Sequence, residues 1–196
     1  GKMLLENWLY TGTLGIKTHY CSPLKGRVKC DYLVIGGGFA GLHAALRLAD
    51  SGKDVVLLEK RICGGSSSGR SAGFLTPESE EDMRKLIKNV GLENARAIYN
   101  IPLNGVKLIV NTIKKNNFNC DFRKQDSLYL SIKKSHDSRI EDEAEVREEM
   151  DLPYNLYSKN GLRKVHPGRG YTSGMRYTGS YGINSFAYTQ EMKNLL

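Results

Sequence analysis

Val34-Ile35-Gly36-Gly37-Gly38-Phe39-Ala40-Gly41 is the stretch that decides the fold, and Glu59, closing the next apolar run, is its complement. Gly36, Gly38 and Gly41 stand in the G-x-G-x-x-G spacing, directly after one apolar run and directly before an amphipathic one. Each answers a different need. Gly36 allows a tight turn out of a strand, Gly38 a close approach of backbone to a pyrophosphate, and Gly41 close packing of helix on strand. The N–H groups at the helix start have no helical partner and favour an anion. Tyr32-Leu33-Val34-Ile35 is the continuous apolar run that a parallel strand buried on both faces requires. Phe39, Leu42, Ala45, Leu46 and Ala49 follow at helical spacing, with Arg47 and Asp50 off that face. Gly52 suits a left-handed helix end, and Val55-Val56-Leu57-Leu58 reads as a second buried strand. A carboxylate at Glu59 can accept both hydroxyls of an adenosine ribose and repels a 2′-phosphate. The predicted unit is a parallel βαβ that takes a dinucleotide; the bland alternative is an ordinary buried turn ending in a surface glutamate.

The loop Arg61-Ile62-Cys63-Gly64-Gly65-Ser66-Ser67-Ser68-Gly69-Arg70-Ser71-Ala72-Gly73-Phe74-Leu75 narrows the ligand. A nicotinamide-type half returns quickly to its next helix, whereas small residues in a long crossing suit a flat, extended ligand, offering backbone N–H groups and no bulk. The plain alternative is a flexible glycine–serine linker. Gly36-x-Gly38-x-x-Gly41, then Glu59-Lys60, then Ser68-Gly69-Arg70-Ser71-Ala72-Gly73 resembles the FAD-binding N-terminus of the D-amino-acid oxidase and glycine oxidase (DAO) superfamily, in its gamma-glutamylputrescine oxidoreductase-like branch. The resemblance implies an α/β fold: a Rossmann-like FAD-binding domain with part of an antiparallel-sheet substrate domain. It implies FAD as cofactor and oxidation of the C–N bond of an amine or amino acid by hydride transfer to the flavin. It puts the backbone from Gly38 through Phe39 and Ala40 to Gly41 on the pyrophosphate and Glu59 on the ribose. Ser67, Ser68 and Arg70 would lie beside the phosphates, and Ser71, Ala72 and Gly73 against the isoalloxazine. Gly36, Lys60 and Gly69 belong to the same expected cofactor-binding set. For Arg70, pairing with a surface carboxylate is the competing reading.

The rest of the chain carries weaker signals. Thr76-Pro77-Glu78-Ser79 opens a helix with the face Met83, Leu86, Ile87 and Val90, capped by Ser79 and stopped by Gly91. A second helix is predicted from Leu92 to Lys115, kinked or divided by Pro102. Asn119 to Arg123 and Ser127 to Ile132 read as two strands around the turn Lys124-Gln125-Asp126, and their alternation predicts a sheet wet on one face. Residues 135–150 form a charged helix with a thin apolar face of Ile140 and Ala144. Short strands follow within 154–157 and 171–183, and Asn184 caps a last helix carrying Tyr188, Met192 and Leu195. The domains expected are an N-terminal arm (1–27) holding Trp8, Tyr10 and Tyr20, the FAD domain (28–117), a partial substrate domain (118–183) and a helix returning to the FAD domain (184–196).

Composition excludes several classes. The net charge of +8 over 196 residues is spread out, without the aromatic interleaving of a nucleic-acid binder. Cys21, Cys30, Cys63 and Cys120 form no C-x-x-C pair, and His19, His43, His136 and His166 have no metal-ligand spacing. The longest apolar stretch, from Tyr32 to Ala49, is broken by glycines, His43 and Arg47, too soon to span a bilayer. Cys63 reads as a packing residue. The expectation is a cytoplasmic protein acting on a small molecule. Enzymes of the resembled family are longer, and many of their substrate contacts fall in segments after the one resembled, so no catalytic residue is named. Open alternatives are a truncated, split or cleaved product, a chain completed by a second chain, a non-catalytic subunit, and an NAD-binding dehydrogenase half.

Overall fold

A computed structural model describes residues 21–78 and 82–196. The aromatics Trp8, Tyr10 and Tyr20 of the expected arm, and the expected cap Ser79, lie outside the described residues. In chain order the elements are β1 (Tyr32–Ile35), α1 (Phe39–Asp50), β2 (Val55–Leu58), a 3-10 turn (Ser68–Arg70), β3 (Phe74–Leu75), α2 (Met83–Val90), α3 (Leu92–Asn116), β4 (Arg123–Lys124) and β5 (Ser127–Ser131). There follow a 3-10 turn (Lys134–His136), α4 (Asp137–Glu149), β6 (Tyr154–Ser158), α5 (Lys159–Val165), β7 (Ser173–Tyr177), β8 (Tyr181–Gly182) and α6 (Ser185–Asn194). They divide into two units. Of the described residues, one takes in 21–74, Asn116–Phe122 and Gly182–Leu196; the other 75–78, 82–115 and Arg123–Tyr181.

The first unit is built on β1-α1-β2. The strands are parallel, in register from Tyr32↔Val55 to Ile35↔Leu58. Leu42 and Ala45 of α1 are fully buried, and Gly52, at φ 72°, turns the chain out of the helix. Burial on both faces of β1 is not observed: Leu33 is 53% exposed and Ile35 81%. The described sheet has two strands, and α1 lies on the side of Val34, so side chains pointing the other way stand in solvent. The last helix, α6, belongs to this unit. Asn184 Oδ1 accepts from the Ala187 N–H at 3.0 Å, and Phe186, Tyr188, Thr189 and Met192 are buried. Leu195, expected on the same face, is 44% exposed. Tyr188 meets Phe39 and Phe118 edge-on, with ring centroids at 5.9 and 5.7 Å, and its hydroxyl lies 3.0 Å from His43 Nε2. Burial lowers the His43 pKa.

In the second unit α2 is capped by Asp82, whose Oδ1 accepts from the Lys85 N–H at 3.0 Å, and ends at Gly91, φ 81°. Pro102 does not divide α3, which runs unbroken from Leu92 to Asn116. Proline forfeits one backbone bond, here to the carbonyl of Ile98. Ile98 is 43% exposed, whereas Ala95, Tyr99, Val106, Val110 and Ile113 are buried along one side on both sides of the proline and hold the helix together. Met83, Ala95, Tyr99, Val146 and Met150 form one core cluster.

Strands β5, β7 and β6 form an antiparallel sheet in that order. The hairpin expected between residues 119–123 and 127–132 does not form: β5 pairs with β7, from Ser127↔Tyr177 to Ser131↔Ser173. Asp126 is tied instead to Arg176 (Nε to Oδ2, 2.9 Å), while Asp121 bends the preceding stretch at φ 52°. The sheet is covered in part on both faces, although Tyr129 and Leu156 stay 41% and 51% exposed. Tyr129 and Leu156 lie opposite Met175, and that face carries α4 through Ile140 and Ala144. The Leu128–Leu130 face carries Leu162 of α5, which with Leu130 crowds Gly174. Alternation gave the pleat correctly; it could not announce a second covering element.

At the start of α4, Asp137 Oδ1 accepts from Thr172 Oγ1 (2.6 Å) and Ser173 Oγ (2.7 Å). These bonds, Thr172 first, hold its carboxyl below the usual range. A carboxylate depressed by folding adds stability above its unfolded pKa and loses it as pH falls through the folded value. Asp137→Asn is therefore expected to flatten the acid limb of a plot of urea midpoint against pH, leaving the neutral limb parallel to wild type.

Candidate functional site

The turn between β1 and α1 is shaped by close approach. Gly36 sits at φ 106°, and its N–H donates to Leu58 O at 2.7 Å, joining the ends of the two strands. A Cβ on Gly41 would lie 1.9 Å from Gly36 O, and one on Gly38 would lie 2.9 Å from Ser68 Oγ. Gly38 is the N-cap residue and offers no side chain to α1. The N–H of Phe39, the first helical residue, donates to Ser68 Oγ at 3.0 Å. Ala40 is exposed and Gly41 half-buried on the same first turn.

Glu59 is held by both oxygens. Oε2 accepts from the Gly37 N–H at 2.7 Å and Oε1 from the Arg61 N–H at 2.9 Å. A carboxylate has about four lone-pair sites, so two are used in orienting it and two remain. Lys60 beside it is exposed.

The serine–glycine crossing folds back onto the turn. Gly64 N–H donates to Gly37 O at 2.8 Å, Gly69 N–H to Gly64 O at 3.0 Å, and Arg70 N–H to Ser67 O at 3.2 Å. Ser67 and Arg70 are exposed, Ser68 half-buried and Gly69 buried. Helix α6 lies against the crossing. A Cβ on Gly64, at φ 71°, would lie 2.0 Å from Thr189 Oγ1, and one on Gly69 would lie 2.8 Å from the Phe186 ring. Ser185 Oγ donates to Ser71 O at 3.1 Å and Gln190 Nε2 to Cys63 O at 2.7 Å. Gly73 O accepts from the Ile183 N–H at 2.9 Å, and Ala72 is exposed. Burial, then Glu59, pushes the Cys63 thiol up, which keeps it protonated and unreactive. A Cβ on Gly37 would lie 2.6 Å from its sulfur, so Cys63 fills the space beneath the turn.

The residues from Gly36 to Gly41, Glu59 and Ser68 thus meet through direct bonds, with Ser67, Gly69 and Arg70 on the 3-10 turn beside them. Ser71, Ala72 and Gly73 lie further along the crossing, where α6 and Ile183 hold it. Reading the sequence missed Ser185, Thr189 and Gln190. They lie on a capped helix with a recognisable apolar period, but nothing in that period tells which distant carbonyl a side chain will reach. Among the described residues no group of three or more histidine, cysteine or acidic side chains could hold a metal ion, and no helix is long and apolar enough to cross a membrane.

A parallel βαβ with a glycine turn, a strand-end carboxylate and an enclosing loop defines a dinucleotide-binding α/β protein. The chain belongs to the DAO family of FAD dependent oxidoreductases, whose family model matches residues 31–196; FAD is the cofactor of that family. It is 30% identical over 158 residues to gamma-glutamylputrescine oxidoreductase of Escherichia coli (strain K12), covering 80% of this chain and 35% of that protein. It is 34% identical over 143 residues to the probable oxidoreductase OrdL of Haemophilus influenzae, covering 72% and 33%. Glycine oxidase from Bacillus cereus shares the fold, with a TM-score of 0.63 at 18% identity over 85% of this chain and 43% of that one. The chain spans about a third of the length of the curated relatives it matches.

Proposed function

We propose that this chain supplies the nucleotide-holding half of an FAD site in an oxidoreductase that oxidises the C–N bond of an amine or amino acid. The carrying observation is the bonded assembly of the glycine turn, Glu59 and Ser68. The fit to FAD is steric first: Gly41 lets the start of α1 close onto the Gly36 carbonyl, an approach that a Cβ would block, and Gly36 and Gly38 put no side chain between the turn's N–H groups and a ligand. The names of the relatives, an oxidoreductase of gamma-glutamylputrescine and an oxidase of glycine, support the amine or amino-acid class.

In this reading the N–H groups of Gly38, Ala40 and Gly41 at the start of α1 hold the pyrophosphate directly and Phe39 acts through Ser68, with the helix dipole behind them. The Ser68 hydroxyl accepts from Phe39 N–H and keeps its own proton to donate to a phosphate oxygen. Ser67 and Arg70 lie beside the phosphates, and Glu59 gives its two remaining lone pairs to the ribose hydroxyls. Lys60 and Gly69 complete the set, and Ser71, Ala72 and Gly73 offer a flat backbone to the ring system. Bound flavin supplies a hydride acceptor, and the protein's part is orientation and exclusion of water.

The test is uptake of FAD by the purified chain, followed by quenching of flavin fluorescence and by release and identification of the nucleotide. Stoichiometric FAD supports the proposal, and uptake of NAD in its place favours a dehydrogenase half. Uptake of FAD only with a second polypeptide favours a site completed in trans, and no uptake under any of these conditions overturns the reading. Glu59→Gln is expected to weaken FAD and ADP binding about tenfold or more, the worth of a charge-assisted bond of about 1.5–3 kcal/mol, and to narrow the preference over a 2′-phosphorylated adenosine.

A further inference from the structure

We infer that Gln190 of α6 is a positioning residue for the glycine turn, acting through a single peptide group; this rests on the FAD reading above. The peptide between Cys63 and Gly64 is held at both ends. Its carbonyl accepts from Gln190 Nε2 at 2.7 Å, and its N–H donates to Gly37 O at 2.8 Å. The Gly37 N–H in turn donates to Glu59 Oε2 at 2.7 Å. One amide side chain therefore orients a peptide plane, which orients the centre of the glycine turn, which orients the carboxylate at the end of β2. Neighbouring bonds polarise one another along such a chain.

The arrangement depends on close packing as well. Gln190 is 6% exposed, so its amide has no water to turn to, and a lost donor would leave Cys63 O buried and unmatched. Gly64 is held at φ 71° against Thr189, the residue before Gln190, where a Cβ would come within 2.0 Å of Thr189 Oγ1. That contact leaves the Cys63–Gly64 peptide little room to rotate. Glu59, the residue expected to meet the ribose, is 131 positions away from the group that sets its orientation, which is why no local pattern betrays it.

The variant chosen is Gln190→Met, which keeps the volume and flexibility of the side chain and removes the amide that donates to Cys63 O. Two measurements on the full chain are paired. In hydrogen exchange without nucleotide, the amides of Gly64 and Gly37 are expected to exchange about tenfold faster or more in Gln190→Met, the cost of one orphaned buried carbonyl. Amides of the β5-β7-β6 sheet should stay as in wild type. In FAD titration the dissociation constant is expected to rise about tenfold or more. Glu191→Gln, which alters the carboxylate accepting from the Asn119 N–H at 3.1 Å, should leave exchange at Gly64 and Gly37 unchanged. A merely structural role for Gln190 would speed exchange across the whole first unit rather than at those two amides, and that result overturns the inference. Unchanged exchange at Gly64 and Gly37 overturns it too, as does an unchanged FAD constant in a protein whose wild type binds FAD. If the exchange pattern follows the expectation while wild type takes up no FAD, it is the nucleotide reading that falls, and the bond relay through Gln190 stands.

Discussion

Gly41→Ala is expected to abolish measurable FAD uptake and to lower the melting temperature of the chain. The added Cβ would lie 1.9 Å from Gly36 O and 3.1 Å from its carbonyl carbon. The atoms in the way are backbone, so relief requires the turn to open. In an unhindered helix the same exchange would help by about 0.8–1.0 kcal/mol through helix propensity. Overpacking of a close contact costs about 1–3 kcal/mol or more, so the steric term wins. Binding suffers more than stability, because opening the turn moves the very N–H groups that face the anion. A loss of about a hundredfold in FAD affinity corresponds to about 2.8 kcal/mol, within reach of a displaced helix start. Gly105→Ala is the matched control. Gly105 lies in α3 with nothing within 4 Å of its would-be Cβ, so that variant should stabilise by about 0.5–1 kcal/mol and leave FAD binding as it is. A Gly41→Ala protein that binds FAD like wild type would refute the close approach of α1 to the turn.

Arg147→Leu is expected to cost about 2–4 kcal/mol in the urea unfolding of the second unit. Arg147 is 3% exposed, with Nη2 at 2.6 Å from Glu78 Oε2 and Nε at 3.5 Å from Glu143 Oε1. Its guanidinium lies 3.8 Å from the centroid of the Tyr177 ring, and Tyr99 donates to Glu78 Oε1 at 3.1 Å. Removing one partner of a buried ionic cluster costs about 3–5 kcal/mol, because charge is left uncompensated. The Glu78 and Glu143 side chains keep 24% and 26% exposure, and water there relieves part of it. The pH dependence follows from Glu143, whose carboxyl is pushed up by burial against the opposing pull of Arg147. A carboxylate raised by folding costs stability at neutral pH and returns it as pH falls through the folded value. Without Arg147 the carboxyl rises further, so the deficit of Arg147→Leu should shrink between about pH 7 and about pH 5. A deficit independent of pH would mean that the lost packing of the long side chain, rather than charge, accounts for the effect.

Local pattern carried the reading far in the βαβ segment and less far elsewhere. Two apolar runs, a helical period and three spaced glycines were enough for parallel strands and for the turn, because the bonds from Gly36, Gly37 and Phe39 to Leu58, Glu59 and Ser68 lie within a short span of chain. The same logic found the Asn184 cap and the α2 face. It failed where a distant segment decides. Strand β5 takes its partner from β7, since Asp126 finds Arg176 50 positions away, and a turn-like tripeptide before it suggested a nearer partner. Pro102 was a correct chemical reason for a break, overridden by the buried row of Tyr99, Val106 and Val110. Arg147 was legible in part. It stands at helical spacing from Ile140 and Ala144, on the apolar side, but an arginine amid acids reads as a solvated face until Glu78 and Tyr177 are placed around it. The crossing from Arg61 to Leu75 was legible as a loop of small residues; that α6 holds it was not, because Ser185 and Gln190 reach across 114 and 127 positions.

The discontinuous make-up of the first unit has a consequence for biosynthesis. Its β1-α1-β2 core leaves the ribosome before the second unit, yet the helix that holds residues 63–73 comes from Gly182–Leu196. All of the second unit, Leu75–Lys115 and Arg123–Tyr181, is translated in between. Long-range closure of this kind is slow, and a nascent chain halted before residue 185 would present the crossing bare to proteases. Order of emergence therefore makes the second unit able to finish folding before the first, although the first begins.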